Sequence, residues 1–328
     1  MSTWNDKIRT DPATKAITQE WLSRSAPVVG LYADTKIGKS TWVSKLFTPV
    51  ATIVPDASGK TSTKMRTAGM FCPTLYIDAD AGALTMGDIA YNEKHVLLRS
   101  FDKHPSKVLQ WIAERIDEAE TVKCNAIVIE CVNAIYELEL GRAFRDKPDK
   151  TAPDWAAAIG GSIRAMFSAI RGLKLARNAN GIGVPIFVTL NVKSQREGKG
   201  QDATTSFVPN MSPGLRSHFT ATADAMLELT RVGDRTILIA SDTHVPPRHS
   251  IRGPSGNAVM TGTKLPALVS ATNLDPAGLL ACWADFCVKN APRRPTLTSA
   301  PVTDLDGAEP PVPTSEPEPT TNPETETA

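Results

Sequence analysis

The chain has 328 residues, 41% of them hydrophobic and 22% charged, with a formal net charge of +1. That composition excludes disorder of the chain as a whole and leaves room for one large α/β domain or two small ones. Its apolar runs fall far short of the roughly 18 residues that cross a bilayer, and Met1 to Arg9 lacks the apolar core of a secretory signal, so a soluble, cytoplasmic protein without a membrane partner is expected.

The five cysteines, Cys72, Cys124, Cys131, Cys282 and Cys287, form no CxxC pair, and their odd number argues against a closed disulfide framework. They read as reduced thiols packed like small hydrophobes. His95, His104, His218, His244 and His249 show no zinc-ligand spacing, and no zinc is expected. The near-neutral total hides a division: of 36 basic and 35 acidic residues, seven acids and no base lie beyond Arg294, which leaves 28 acids and a net charge of +8 for positions 1–294. Residues 291–328 also hold nine of the 25 prolines and almost no large apolar side chain, so they read as a disordered Pro/Thr/Glu-rich acidic tail.

In chain order, Asp11-Pro12 marks a helix start, an N-cap acid followed by proline at the first helical position. Ala16, Ile17 and Trp21 then recur at helical spacing, so residues 1–25 read as an N-terminal helical segment. Ala26 to Ala33 suits a buried strand, and after Gly38 the positions Trp42, Val43 and Leu46 share one helical face. Further strand-length runs are Thr74–Ile77, Val96–Leu98, Ala126–Ile129, Pro185–Leu190, Ala225–Leu229 and Thr236–Ile239. Between them Lys107–Ala119 and Trp155–Ala176 have helical periodicity. Alternating strands and helices predict an α/β fold over residues 26–290, three layers deep, with a mainly parallel central sheet.

The connection from the first strand to its helix reads Ala33-Asp34-Thr35-Lys36-Ile37-Gly38-Lys39-Ser40-Thr41. This is the P-loop pattern GxxxxGK[ST] with alanine in place of the first glycine. In such a loop, backbone N–H groups surround the phosphates, Gly38 allows close approach, Lys39 neutralises β and γ oxygens, and Ser40 reaches Mg²⁺. Gly59-Lys60-Thr61 also ends in GK[ST], but Val54 stands at its first-glycine position and little apolar helical face follows, so a polar connection is expected there. The deviant P-loop of partition and motor ATPases is disfavoured, because Asp34 stands where its second lysine belongs.

Two strands end in acids, Tyr76-Ile77-Asp78-Ala79-Asp80 and Ile127-Val128-Ile129-Glu130-Cys131. At the carboxyl ends of parallel strands these would lie beside the P-loop, one in the metal shell and one orienting a water. In this order the motifs resemble RecA-family ATPases: Leu75–Asp80 is similar to the strand ending in the catalytic acid, Ala126–Ala134 to the Walker B strand, and Ile186–Asn191 to the strand ending in the γ-phosphate sensor. Lys-x-Gly-Lys-Ser, Asp78–Gly82 and Pro209–Gly214 bring the chain nearest to the small phage ATPases with a RecA core, found in recombination and single-strand annealing modules. The resemblance covers about residues 26–255. It implies ATP and Mg²⁺ as ligands, Glu130 in the metal shell with Ser40, Asp80 as base, Asn191 as sensor, and a ring or filament of identical subunits. Relative to RecA, Asp80 stands for a glutamate, Glu130 for an aspartate and Asn191 for a glutamine, which leaves both slow hydrolysis and mutual compensation open.

In assemblies of this type a neighbouring subunit often supplies a basic finger. Arg248 and Arg252 are the candidates by position, Arg252 preferred, with an ordinary surface arginine as the alternative. Two long polar segments, Gly141–Asp154 (Arg142, Arg145, Lys147, Lys150) and Lys193–Asn210 (Lys193, Arg196, Lys199), follow the Walker B and sensor strands. Loops there hold single-stranded DNA in RecA-like proteins, and Phe144, Trp155 and Phe207 are available either to stack bases or to pack beneath. The acidic tail has three readings: competitor for DNA, docking segment for a protein partner, or solubilising extension. The competing functions are a nucleotide-dependent switch without turnover and a helicase or packaging motor.

Overall fold

The computed structural model describes residues 4–24, 26–34, 36–47, 50–55, 61–67, 69–80, 95–104, 107–121, 123–197, 204–232, 235–240 and 274–290. The chain divides into a compact unit, Met1–Ala291, and the stretch Pro292–Ala328. The acidic tail, Thr35, Lys199, Arg248 and Arg252 lie outside the described residues.

The compact unit opens with α1 (Trp4–Thr10) and α2 (Pro12–Arg24), followed by β1 (Val28–Ala33), the short α3 (Lys39–Ser44) and the strands β2 (Val50–Pro55) and β3 (Thr61–Thr67). Next come β4 (Thr74–Asp78), β5 (Val96–Ser100), α4 (Val108–Thr121), β6 (Ala126–Glu130), α5 (Val132–Asp146) and α6 (Ala152–Gly172). β7 (Ile186–Glu197), β8 (Thr204–Pro209), α7 (Pro213–Thr222), β9 (Ala225–Val232), β10 (Arg235–Ala240) and α8 (Pro276–Asn290) complete it.

Six strands form a parallel sheet in the order β5-β4-β6-β7-β1-β9. β10 extends it antiparallel to β9, and β8 pairs antiparallel with the far half of β7. The central strands are continuous apolar runs because helices cover both faces. On one face Val28, Tyr32, Ile77, Ile129 and Val188 pack under α4, α5, α6 and α7; on the other Val29, Leu31, Tyr76, Val128 and Phe187 pack under α2, α3 and α8. Each such side chain contributes about 1.5–3 kcal/mol on burial. Among the described residues no helix is long and apolar enough to cross a membrane.

The helix start read at Asp11-Pro12 is present: Asp11 Oδ1 accepts the Ala13 N–H at 3.0 Å, and Oδ2 accepts the Thr14 N–H at 3.2 Å and the Thr14 hydroxyl at 2.6 Å. The N-terminal helices join the core of the compact unit, with Trp21 packed on Trp283 of α8 and Arg9 paired with Asp275 just before it.

Both expected polar loops have regular structure. Gly141–Asp154 is the end of α5, a short turn and the start of α6, whose first turn is fixed by a reciprocal cap between Thr151 and Asp154. Within Lys193–Asn210 the described residues form a two-stranded ribbon, since β7 continues past the sheet and pairs antiparallel with β8. The Gly59-Lys60-Thr61 decoy leads into β3, paired with β2, rather than into a helix.

Both projections leave the carboxyl edge of the sheet. α6 ends at the amino edge, where the Lys174 carbonyl accepts the Ala26 N–H and Lys174 Nζ pairs with Asp224, the carboxylate that also accepts the Val28 N–H at 2.8 Å. Its 21 residues span about 31 Å, against about 17 Å for a five-residue strand, so its first turns stand beyond that carboxyl edge and α5 rises to meet them.

Candidate functional site

The site is built where β1 gives way to α3. Ala33 keeps an extended strand backbone, so an alanine in the first-glycine position meets no conformational cost. The chain then turns through left-handed conformations at Lys36 (φ 65°) and Gly38 (φ 101°), and only the second is a glycine. This turn folds Lys39 back over the strand end. Its Nζ donates to the carbonyl oxygens of Ala33 at 3.1 Å and Asp34 at 3.0 Å, and the residue is 7% exposed. Burial lowers the pKa of its ammonium group, against the opposing pull of Cys131, Glu130, Asp34 and Asp80.

Ser40 donates its hydroxyl to Glu130 Oε1 at the end of β6. Glu130 is buried, and its Oε2 has no hydrogen-bond partner among the described residues. Burial pushes its carboxyl above the usual range, opposed by the Ser40 hydrogen bond and the charge of Lys39. A serine hydroxyl beside a carboxylate with an uncommitted oxygen is a hard-oxygen donor set, which fits Mg²⁺.

β7 lies between β1 and β6, and Asn191 pairs in register with Ala33 at the mouth of the loop. Three bonds tie that point to Asn133 and Asn210. The Asn191 N–H donates to Asn133 Oδ1 at 2.6 Å, Asn133 Nδ2 donates to the Asn210 carbonyl at 2.5 Å, and the Asn210 N–H donates to the Asn191 carbonyl at 2.8 Å. Asn133, buried in the first turn of α5, thereby braces the base of the β7–β8 ribbon. Cys131 beside it is buried, and its thiol is pushed up to about 12 by desolvation.

The structure therefore brings together Gly38, Lys39, Ser40, Glu130 and Asn191. Asp34, Lys36 and Thr41 are exposed on the same connection and Ile37 packs against the core under α3. Asp80 lies two residues past β4 and is exposed, whereas Asp78 is fully buried, in register with Glu130, and accepts the Ser100 hydroxyl at 3.2 Å. Asp78, Asn133 and Thr189 carry no role in the sequence reading. The legible signal for Asp78 and Thr189 was a polar residue at an inward position of an apolar strand, and for Asn133 an amide three residues after Glu130 at a helix start.

Beyond the sheet edge, Arg145, Lys147 and Lys150 are exposed around the α5–α6 turn. Phe144, 48% exposed, meets Trp155 edge to face at 4.7 Å, and Trp155 Nε1 donates to the Lys147 carbonyl. Arg142 is held by Glu139 and Asp146 on α5. Lys193 is exposed at the root of the ribbon.

No protein-family model and no curated protein matches the chain.

Proposed function

We propose that the chain binds Mg²⁺·ATP at Ala33–Thr41 and hydrolyses it, working on single-stranded DNA in the manner of the RecA-core ATPases of phage recombination and annealing modules. The observation that carries this reading is the convergence of Lys39, Ser40, Glu130 and Asn191 at the carboxyl edge of a parallel sheet, from three separate strands or their loops. With β7 interposed, β6 stands about 10 Å from β1, room for a terminal phosphate above Asn191.

Lys39, now bonded to two carbonyls, exchanges them for phosphate oxygens of higher charge. Ser40 and Glu130 hold the metal, which when bound neutralises the β and γ oxygens. Asn191 contacts the γ-phosphate, Asp80 receives the proton of the attacking water, and Arg252 of a neighbouring subunit is the finger of the assembly. DNA runs past the two projections, where exposed lysines and arginines contact phosphates and the Phe144–Trp155 pair offers a face for stacking.

A second reading, a nucleotide switch without turnover, is favoured by one feature: Asp80 is solvent-exposed and so lacks the enclosed setting that tunes a general base.

Calorimetry with magnesium nucleotide and phosphate-release assays with and without single-stranded DNA decide between them. DNA-stimulated release that Lys39→Ala reduces at least 100-fold supports the enzyme. Binding with no turnover supports the switch, processive unwinding or translocation supports a helicase or packaging motor, and absence of any binding heat refutes the nucleotide site.

A further inference from the structure

Four polar residues on neighbouring strands form a row on the face of the sheet that α3 covers: Thr189 on β7, Glu130 on β6, Asp78 on β4 and Ser100 on β5. Asp78 is paired in register with both Glu130 and Ser100, and Ile129 is paired with Val188, which sets Glu130 and Thr189 side by side one step further on. Strand alternation fixes the face. Tyr76, Val128 and Phe187 belong to the core under α3, so Asp78, Glu130 and Thr189, each two residues along, face the same way. Thr189 and Asp78 are 0% exposed and Glu130 is 5% exposed.

The two ends of the row differ. Asp78 and Ser100 share a hydrogen bond, whereas Thr189 Oγ1 and Glu130 Oε2 are both buried and have no hydrogen-bond partner among the described residues. A buried oxygen left in that condition destabilises the fold. Valine at position 189 would fill the same space without that cost, between Val188 and Leu190 in a strand that is otherwise apolar there. Two such oxygens on adjacent strands, one of them on the carboxylate that accepts the Ser40 hydroxyl, are set out for something that arrives with the ligand.

We infer that Thr189 is a positioning residue for the divalent cation: Thr189 Oγ1 and Glu130 Oε2 together receive one water of the cation's shell and fix the direction of the carboxylate. The inference rests on the magnesium-nucleotide reading of the site. Mg²⁺ retains several waters and uses only one or two carboxylates, so a hydroxyl one strand from its carboxylate is suited to an outer-shell role. Partners of that kind typically account for 10–100-fold in metal affinity.

Thr189→Val removes the hydroxyl and keeps the shape. The melting temperature of the nucleotide-free protein should stay level or rise, while the Mg²⁺ concentration that half-saturates nucleotide binding, read by calorimetry, rises about tenfold. Nucleotide binding in EDTA should not change, and Thr189→Ser should move the Mg²⁺ requirement back toward that of the unmodified protein. An unchanged Mg²⁺ requirement in Thr189→Val overturns the inference, whatever the melting temperature does. Nucleotide binding by the unmodified protein without any dependence on Mg²⁺ also overturns it but leaves the nucleotide site standing. Absence of nucleotide binding removes both.

Discussion

Under α3, Glu130 is 5% exposed and its neighbours Thr189 and Asp78 are fully buried; about 20 Å away, at the far end of α5, Phe144 is 48% exposed beside basic residues in water. The first region is assembled from β1, β4, β6 and β7, so its contacts between strands join residues far apart in the chain. The second is local: Phe144 meets Trp155, Thr151 meets Asp154, and Arg142 meets Glu139 and Asp146. Polar groups in the interior are therefore held by sheet register and by the whole core. Those of the α5–α6 projection are held by contacts between residues near one another in the chain.

Substitutions break that comparison in order of size. Phe167→Ala, where α6 packs on the sheet, removes a fully buried ring and should destabilise the protein by about 3–5 kcal/mol in denaturant titration. Phe144→Ala on the neighbouring helix should cost no more than about 1 kcal/mol. Equal losses would mean that the projection is part of the core.

Between these extremes stands Asn133, which links the two regions. Asn133→Ala leaves the Asn191 N–H and the Asn210 carbonyl without their side-chain partner and should cost about 2 kcal/mol, with faster hydrogen exchange confined to the base of the β7–β8 ribbon. Uniformly faster exchange across the sheet would count against a bracing role.

The smallest effect is expected at Asp11, far from the site. Its carboxyl is held below the usual range by the Thr14 hydroxyl and the Ala13 N–H, so its cap on α2 is in force at neutral pH and is lost as the pH falls through that lowered value. The melting temperature of Asp11→Ala should therefore lie slightly below that of the unmodified protein at pH 7 and converge with it in acid. A gap that persists at low pH would assign Asp11 a role other than that of an ionised cap.

Much of the fold was legible, for reasons visible at particular residues. Val28–Ala33 and Ala126–Glu130 are apolar runs of strand length because helices cover both sides of them, and Asp11-Pro12 announces α2 because an N-cap works within three residues. The two projections read as loops in the sequence and are regular structure in the fold. Arg142 and Arg145 are polar because α5 rises clear of the sheet, and Lys193–Glu197 looks unstructured until its partner, Thr204–Pro209, is found. Ser212-Pro213 is a start signal of the same kind as Asp11-Pro12, and α7 follows it. In the candidate site, the spacing of Gly38, Lys39 and Ser40 was readable since a phosphate loop is a local motif. Thr189 and Asn133 were not, because their importance depends on which strand stands next to which.

The amino-acid sequence by itself determined the parallel strands, α2, α4 and α6, the phosphate-loop spacing at Gly38 and the acid at the end of β6, since each follows from backbone preference or apolar spacing within a few residues. Only the tertiary structure decided that β7 separates β1 from β6, that Ser40 meets Glu130, and that Thr189 is enclosed beside that carboxylate. These are consequences of sheet order and register, and a parallel sheet obtains both from contacts between residues tens of positions apart, which no local pattern encodes.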